Sequence, residues 1–445
     1  MSLSTVPDRH TGHDAAKSVR LGSATRLRLP RRAGFWAVAA SFAVLTAFST
    51  APSPLYSTYQ RQDGLSSITI TVVYAVYAAG VVASLLLVGH VSDWYGRRPV
   101  VIPALLTALS AAVILSFSTS LPALLAGRVL TGLALGAAIA TATAYLTDLD
   151  AQPGGGPTRR SEVVATVANI GGLAVGPLVA GLLGQYLPAE PALTYVVFAV
   201  LLAGAVLATT AAPEGRPVPA PRPRYHPQRL AAPSAGRSQF RAALTGVFLS
   251  FAALGLFAGL AGALLAGPLR HPSPSLAGLV VFIAFGAGAA TQVATMDWPT
   301  RRLLGTGLSA LVAGLAAVVA AAWVTPPSLG LFLAGAVIVG IGGGALFRGT
   351  LALIVSTAPA SERAGALATF FVAGYVGLSL PIVGAGIALQ YASLKVVLLA
   401  LGLVVATVTL AASPVLLQDH RPPRRTGLGC DNDRPAALQS SDRGR

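Results

Sequence analysis

Charge is what this sequence has least of. Only 10% of its 445 residues are Asp, Glu, Lys or Arg, against about 25% in a soluble domain, and this shortage excludes a soluble globular fold. With 54% hydrophobic residues and a mean hydropathy of +0.70, no single aqueous core could hide the apolar side chains. Lipid is the solvent for most of the chain. Lysine is almost absent, at Lys17 and Lys395 alone. The one cysteine, Cys430, excludes an intramolecular disulfide and a cysteine-based metal site. The six histidines (His10, His13, His90, His226, His271 and His420) fall in tails, loops or the ends of apolar runs. The convergent His, Asp, Glu or Cys groups that an active site needs are therefore missing, and the reading is of a non-enzyme that calls for no cofactor and no metal. The net charge of +16 would elsewhere suggest nucleic acid. Here the basic residues lie between apolar runs and in the tails, so they read as topology signals, with no nucleic-acid partner.

What the sequence does have is uncharged runs of the length that a bilayer-crossing helix needs, about 20 residues. They cover 34–56, 69–91, 100–117, 121–146, 163–186 and 193–212, then 242–266, 275–295, 303–324, 329–356, 364–389 and 396–417. The ninth and tenth are separated by Thr325-Pro326-Pro327-Ser328, a turn that helix geometry cannot pass through. Between the sixth and seventh lies a Pro-rich stretch with Arg216, Arg222, Arg224, Arg229 and Arg237, which reads as a linker. The expected fold is an all-α membrane protein of twelve transmembrane helices in two six-helix bundles. Its parts are a tail (1–33), a first bundle (34–212), a linker (213–241), a second bundle (242–417) and a second tail (418–445). With the N-terminus inside, 26 Lys and Arg lie on the inner side and 3 on the outer. This asymmetry places both termini and the linker in the cytoplasm, in a multi-pass protein of the inner (plasma) membrane whose first partner is the lipid bilayer.

Asp93-Trp94-Tyr95-Gly96-Arg97-Arg98 and Asp297-Trp298-Pro299-Thr300-Arg301-Arg302 are 204 residues apart, and two of the chain's four tryptophans sit in this shared setting. At the same offset Pro177 matches Pro381 and Arg159 matches Arg363. Each half thus has six spans of like orientation, a parallel repeat that suits a two-bundle transporter with its pathway between the halves.

The first copy, Gly89-His90-Val91-Ser92-Asp93-Trp94-Tyr95-Gly96-Arg97-Arg98, resembles the G-x-x-x-D-x-x-G-R-R signature of the loop between spans 2 and 3 in the major facilitator superfamily. With the twelve spans and the repeat, the resemblance covers about residues 34–417. Arg128-Val129-Leu130-Thr131-Gly132-Leu133-Ala134-Leu135-Gly136 is similar to the R-x-x-x-G-x-x-x-G pattern of its drug-exporting, proton-antiport branches. Gly172 to Gly181 resembles their G-x-x-x-G-P-x-x-G-G pattern, with Ala180 departing from it. The resemblance implies export of a small organic solute by alternating access, with Gly89, Asp93, Gly96, Arg97 and Arg98 forming a conformational latch and protons open as the coupling ion. On the residues alone, Gly89 and Gly96 permit a tight turn, and Asp93 can accept hydrogen bonds from Arg97 or Arg98. Gly172, Gly176 and Gly181 with Pro177, and Pro381 in the other half, allow close packing and bending.

Arg128 lies about seven residues, ~10 Å, from the outer start of span 4. A charge at mid-membrane costs ~2.5 to 3.5 kcal/mol on insertion scales, which makes it a functional candidate. Gly132, Gly136 and Thr143 share its stripe, which favours an interior face. The pathway candidates are Arg128, Arg348, Thr143, Asn169, Tyr74, Tyr77 and Tyr375. None of the fifteen acids falls near the centre of a span. Asp148, at the inner end of span 4, comes nearest and is the proton-coupling candidate. At 20 residues, ~30 Å, along the helix it cannot pair with Arg128, which is left to meet substrate or helix carbonyls. Export of a small molecule is the leading reading. An organic-anion uptake or exchange carrier, suggested by Arg128 and Arg348 without neighbouring acids, is the alternative, and a non-transporting membrane sensor is a remote one.

Overall fold

In lipid a backbone must satisfy its own polar groups, and the uncharged runs accordingly fold as helices. The computed structural model describes residues 29–62, 64–151, 158–187, 192–215, 225–233, 236–359 and 361–418. The expected tails up to residue 28 and beyond Gln418, and the linker residues Arg216, Arg222 and Arg224, lie outside the described residues. Twelve described helices are long and apolar enough to cross a membrane: α1 (Arg31–Gln60), α2 (Ser67–Leu87), α3 (Arg98–Phe117), α4 (Leu121–Asp150), α5 (Arg159–Tyr186), α6 (Ala192–Ala211), α7 (Arg237–Ala266), α8 (Pro274–Ala294), α9 (Thr300–Trp323), α10 (Leu329–Thr357), α11 (Arg363–Ala388) and α12 (Leu394–Leu416).

Several begin or end in polar residues beyond their apolar run, as α4 does at Asp150 and α7 at Arg237. Charged side chains on a helix end reach the interface while the backbone stays helical, so the run underestimates the helix. Side-chain oxygens cap several starts: Ser66 accepts from the Thr69 N–H at 3.2 Å, Ser273 from Leu276 at 3.1 Å and Ser328 from Leu331 at 3.2 Å. The 204-residue offset reappears as structure, because α5 opens at Arg159 and α11 at Arg363. Two helices are irregular. In α1 the helix stops at Thr50, passes Pro52 through a 3₁₀ turn at Ser53–Leu55 and resumes at Tyr56. In α5 a π-turn occupies Val167–Gly171.

The first six helices pack as one bundle, with α1 against α4, α5 and α6, and α2 and α3 against α4; the last six form a second, with α7 against α10 and α11 and α9 against α10. The bundles meet where α5 faces α8 and where α2 faces α11. At the end of the molecule opposite the start of α1 and the end of α12 this seam is tight. A Cβ on Gly278 would strike the Pro177 carbonyl, one on Gly181 the Pro274 carbonyl, and one on Gly386 the Thr71 side chain. Inside the first bundle Gly176 meets the Ala47 carbonyl of α1, and Gly172 meets Thr46. Small residues permit this backbone approach, which dispersion and weak polar contacts then reward.

Gly176→Val should therefore lower the yield of folded, monodisperse protein at least severalfold, because the new side chain can relax only by moving α1 off α5, at ~1 to 3 kcal/mol or more. Gly204→Val, at a glycine with open space around it, should leave the yield unchanged. Size-exclusion profiles of the two variants measure this.

Candidate functional site

A cavity lies on the seam. Its walls come from α1, α2, α4 and α5 of one bundle and from α7, α8, α10 and α11 of the other, so each half supplies the equivalent four helices. Arg128 is 2% exposed and faces this space. Its Nη1 donates to the Ser49 carbonyl at 2.7 Å, its Nε donates to the Tyr56 hydroxyl at 3.0 Å, and Nη2 also bonds that hydroxyl. The guanidinium stands 5.4 Å from the Tyr77 ring centre and 5.5 Å from that of Tyr56, within cation–π range.

This setting follows from the local sequence. The break in α1 turns Tyr56 toward α4. Gly80, Gly132 and Gly136 let α2 and α4 approach backbone to backbone, since a Cβ on Gly132 would strike the Tyr77 carbonyl and one on Gly136 the Val81 carbonyl. The glycines of R-x-x-x-G-x-x-x-G thus bring Tyr77 to Arg128. On α5, Thr46 donates to the Ala168 carbonyl at 2.8 Å and Thr50 to that of Leu173 at 2.9 Å. These bonds hold α1 on either side of Asn169, which lies in the π-turn and lines the cavity. The second bundle contributes Ser250, Gln292 and Tyr375 with four phenylalanines, Phe251, Phe285, Phe347 and Phe371. Ser250 is committed to the Gly343 carbonyl at 2.8 Å.

Arg128, Asn169, Tyr74, Tyr77 and Tyr375 are brought together here. Two candidates are not. Thr143 is exposed, with its hydroxyl on the Ile139 carbonyl at 2.8 Å. Fifteen residues at 3.6 per turn carry it about 60° off the Arg128 direction, and Ile139 takes the cavity position instead. Arg348 turns away and donates to the Met296 carbonyl at 3.1 Å, tying α10 to the end of α8. The four phenylalanines escaped the sequence reading because an apolar side chain facing a cavity is indistinguishable in sequence from one facing lipid.

A second polar cluster lies at the end where α1 starts and α12 finishes. The Arg97 side chain is buried, with Nη1 donating to Asp93 and to Ser92 at 2.8 Å each, and Nε donating to Asp148 at 2.9 Å. Burial lowers the Arg97 pKa, but the hydrogen bond it donates to Asp148 and the charges of Asp93 and Asp148 outweigh it and raise the value overall. The Arg97 and Arg98 backbone N–H groups, at the start of α3, donate to Glu214 at 2.7 and 3.3 Å, a carboxylate placed at a helix N-terminus. Gly96 has φ 98°, a conformation glycine adopts without strain, and Glu214 fills the space where a side chain would be. Glu214 was not among the sequence candidates, since a lone acid in a Pro-rich linker carries no pattern.

Asp93 accepts from Arg97 of its own loop, as its place in the motif allows, and the network joins that loop to α4 and to Glu214 at the start of the linker rather than to the second bundle. The degenerate copy makes the crossing instead: Asp297 accepts from Arg159 at 3.2 Å, between two exposed side chains. The linker also crosses. Its Gln228 N–H donates to the Leu86 carbonyl at 2.8 Å and Tyr225 to that of Leu87 at 3.1 Å, on α2. Three residues on, Ala231 exchanges bonds with Gly365 and Thr369 of α11 at 3.4 and 3.1 Å. His226 stacks on His90 at 5.6 Å, and Trp94 packs edge-on against both rings.

The sequence model of the Major Facilitator Superfamily matches residues 37–296. A tetracycline resistance protein of class H from Pasteurella multocida is 35% identical over 116 residues, which is 26% of this chain and 28% of that protein. The multidrug resistance protein MdtL of Escherichia coli is 34% identical over 121 residues, 27% of this chain and 29% of its own. The chain thus spans under a third of the length of these relatives. Among solved structures, the human organic anion transporter MFSD10 superposes with a TM-score of 0.62 at 18% identity, over 87% of this chain and all of that one. The nucleoside transporter NupG gives 0.66 at 13% identity, over 86% and 99%.

Two measurements probe the terminal cluster. Asp148→Ala leaves buried Arg97 short of a charged partner, at a cost of about 3 kcal/mol, whereas Asp93, with its side chain 54% exposed, should cost under about 1 kcal/mol as Asp93→Asn. Thermal unfolding in detergent should give a clearly larger fall in midpoint for the first. The second concerns pH. Burial lowers the His90 pKa below its ordinary 6.5, the His226 backbone and Asp93 act against this, and the His226 charge adds to it. Packing therefore favours the neutral ring. Its contribution is intact above pH 6.5 and is lost as pH falls from there toward the lowered packed value, because opening the linker then takes up a proton. Hydrogen exchange in 225–231, corrected for intrinsic rates, should accelerate between pH 7.5 and 5.5, and His90→Phe should flatten that dependence.

Proposed function

The chain belongs to the Major Facilitator Superfamily, and from that premise we propose that it exports a small organic solute from the cytoplasm by alternating access through the cavity around Arg128. One observation carries this reading: the cavity lies on the seam, with four equivalent helices from each bundle, so rocking one bundle against the other opens it to either side without rebuilding its walls. The tight glycine seam at the end opposite the termini, and the strap of linker contacts at the other, are the two closures such rocking would make and break. In this reading the 26 to 3 distribution of basic residues puts the termini and the linker in the cytoplasm. Outward direction is supported by the motifs in α4 and α5 and by the partial similarity to two resistance proteins.

Asp148 is the proton-coupling acid of this proposal, because its bond to Arg97 would be released by protonation and would loosen the cluster at the start of α3. An anion carrier is a second reading, supported by Arg128 facing the cavity with no acid beside it among the described lining residues.

Expression in a host stripped of its own exporters should lower the accumulation of at least one compound in a panel that spans anionic, neutral and cationic drugs, and Phe347→Ala or Tyr375→Ala should change which compounds are affected. In proteoliposomes, an imposed pH gradient should drive flux in the wild type and fail to do so in Asp148→Asn. Wild-type flux indifferent to the gradient would instead mark a uniporter or exchanger.

A further inference from the structure

The charge inside the cavity narrows the solute, given the transport reading above on which this step rests. Among the described residues that line it, Arg128 is the one ionised side chain, and no Asp, Glu or Lys joins it. Its partners are a carbonyl, a phenol oxygen and two ring faces, all neutral. A guanidinium has five N–H donors, and the three bonds to Ser49 and Tyr56 leave two for an acceptor in the cavity. In a space of low dielectric, a monoanion would bring the net charge of the site to zero, while a monocation would double it.

The opposite polarity is offered on α5. Asn169 Oδ1 is buried, lines the same cavity and accepts no hydrogen bond. Buried acceptors are rarely left so, and this one sits in the π-turn over Val167–Gly171, an irregularity found frequently at functional sites. The bonds from Thr46 and Thr50 fix the α1 to α5 distance on both sides of it. Across the seam the walls are aromatic: Phe251 stands 5.5 Å from Tyr375, edge to face, and 5.9 Å from Phe347.

We infer that the site takes a compact aromatic organic anion that also carries a hydrogen-bond donor, with its negative group on Arg128, its donor on Asn169 Oδ1 and its ring among the phenylalanines of the second bundle. Asn169 is then a specificity-determining residue that reads the donor, and Arg128 reads the charge.

The test uses the full chain in nanodiscs and equilibrium binding of benzoate, the three hydroxybenzoate isomers, methyl 4-hydroxybenzoate and tetraphenylphosphonium. The wild type should bind benzoate, bind at least one hydroxybenzoate about tenfold more tightly, and prefer the acids to the neutral ester and to the phosphonium cation by tenfold or more, as charge-assisted bonds imply. Asn169→Leu should erase the advantage of the hydroxybenzoate and leave benzoate binding within about threefold. Arg128→Gln should weaken both acids at least tenfold and spare the ester. If that variant does not fold, the charge preference of the wild type and the Asn169→Leu result decide. Phosphonium or ester binding as tight as the acids, or an equal loss of benzoate and hydroxybenzoate in Asn169→Leu, overturns the assignment. Flux of these same solutes in proteoliposomes separates the two readings. A cation that is transported while the acids do not bind removes the anion site and keeps the transporter. Acids that bind with the expected selectivity but never cross keep the site and remove the transporter.

Discussion

A guanidinium buried among apolar helices is the constraint on which the centre of this molecule turns. Arg128 cannot be left bare in such a place, and among the described residues no carboxylate bonds it. Neutral groups do the solvation: a carbonyl of α1, the hydroxyl of Tyr56 and two aromatic faces. Each of them depends on an irregularity elsewhere. Tyr56 is in reach because α1 breaks at Pro52 and restarts, the Ser49 carbonyl faces α4 just before that break, and Tyr77 is near because glycines on α2 and α4 remove the side chains that would hold it away. A positive charge kept without a counter-ion shapes what else can enter the cavity.

The two ends of the seam are closed by different physics. Away from the termini, α5 meets α8 and α2 meets α11 through glycines and backbone carbonyls, a contact that either fits closely or does not form. At the other end the bundles are joined by an exposed ion pair and by two hydrogen-bonded turns of the linker, which a stack of rings holds to the loop after α2. Exposed ion pairs contribute little, and linker bonds can be exchanged for water, so this end opens at lower cost. An asymmetry of this kind lets one end yield while the other holds.

The loop after α2 gathers partners from its own half of the molecule and from the linker. Asp93, Ser92, Asp148 and Glu214 all converge on the Arg97 and Arg98 turn. What the loop rigidifies is the junction of α2, α3, α4 and the start of the linker, and the linker then carries that rigidity to α11 through residues 228–231.

Length and charge placement alone determined the architecture. A helix that crosses lipid must be about 20 apolar residues long, and charged residues cannot be hidden inside it cheaply, so twelve spans, a central linker and a 204-residue repeat could be read directly, with errors of a turn or so where helices carry their charges past the apolar part. Arg128, Asn169, Tyr74, Tyr77 and Tyr375 were legible for the same reason, since polar groups stand out against lipid-soluble neighbours. The tertiary structure alone decided which faces meet. It placed Thr143 off the cavity, because helical phase drifts over fifteen residues, and turned Arg348 to the Met296 carbonyl just past α8. It added four phenylalanines whose chemistry is that of any lipid-facing residue, and it gave Glu214 and His226 partners more than a hundred residues away. Hydropathy records a side chain's preference for leaving water, but cavity, lipid and helix interface all satisfy that preference equally, and only the packing of distant helices tells them apart.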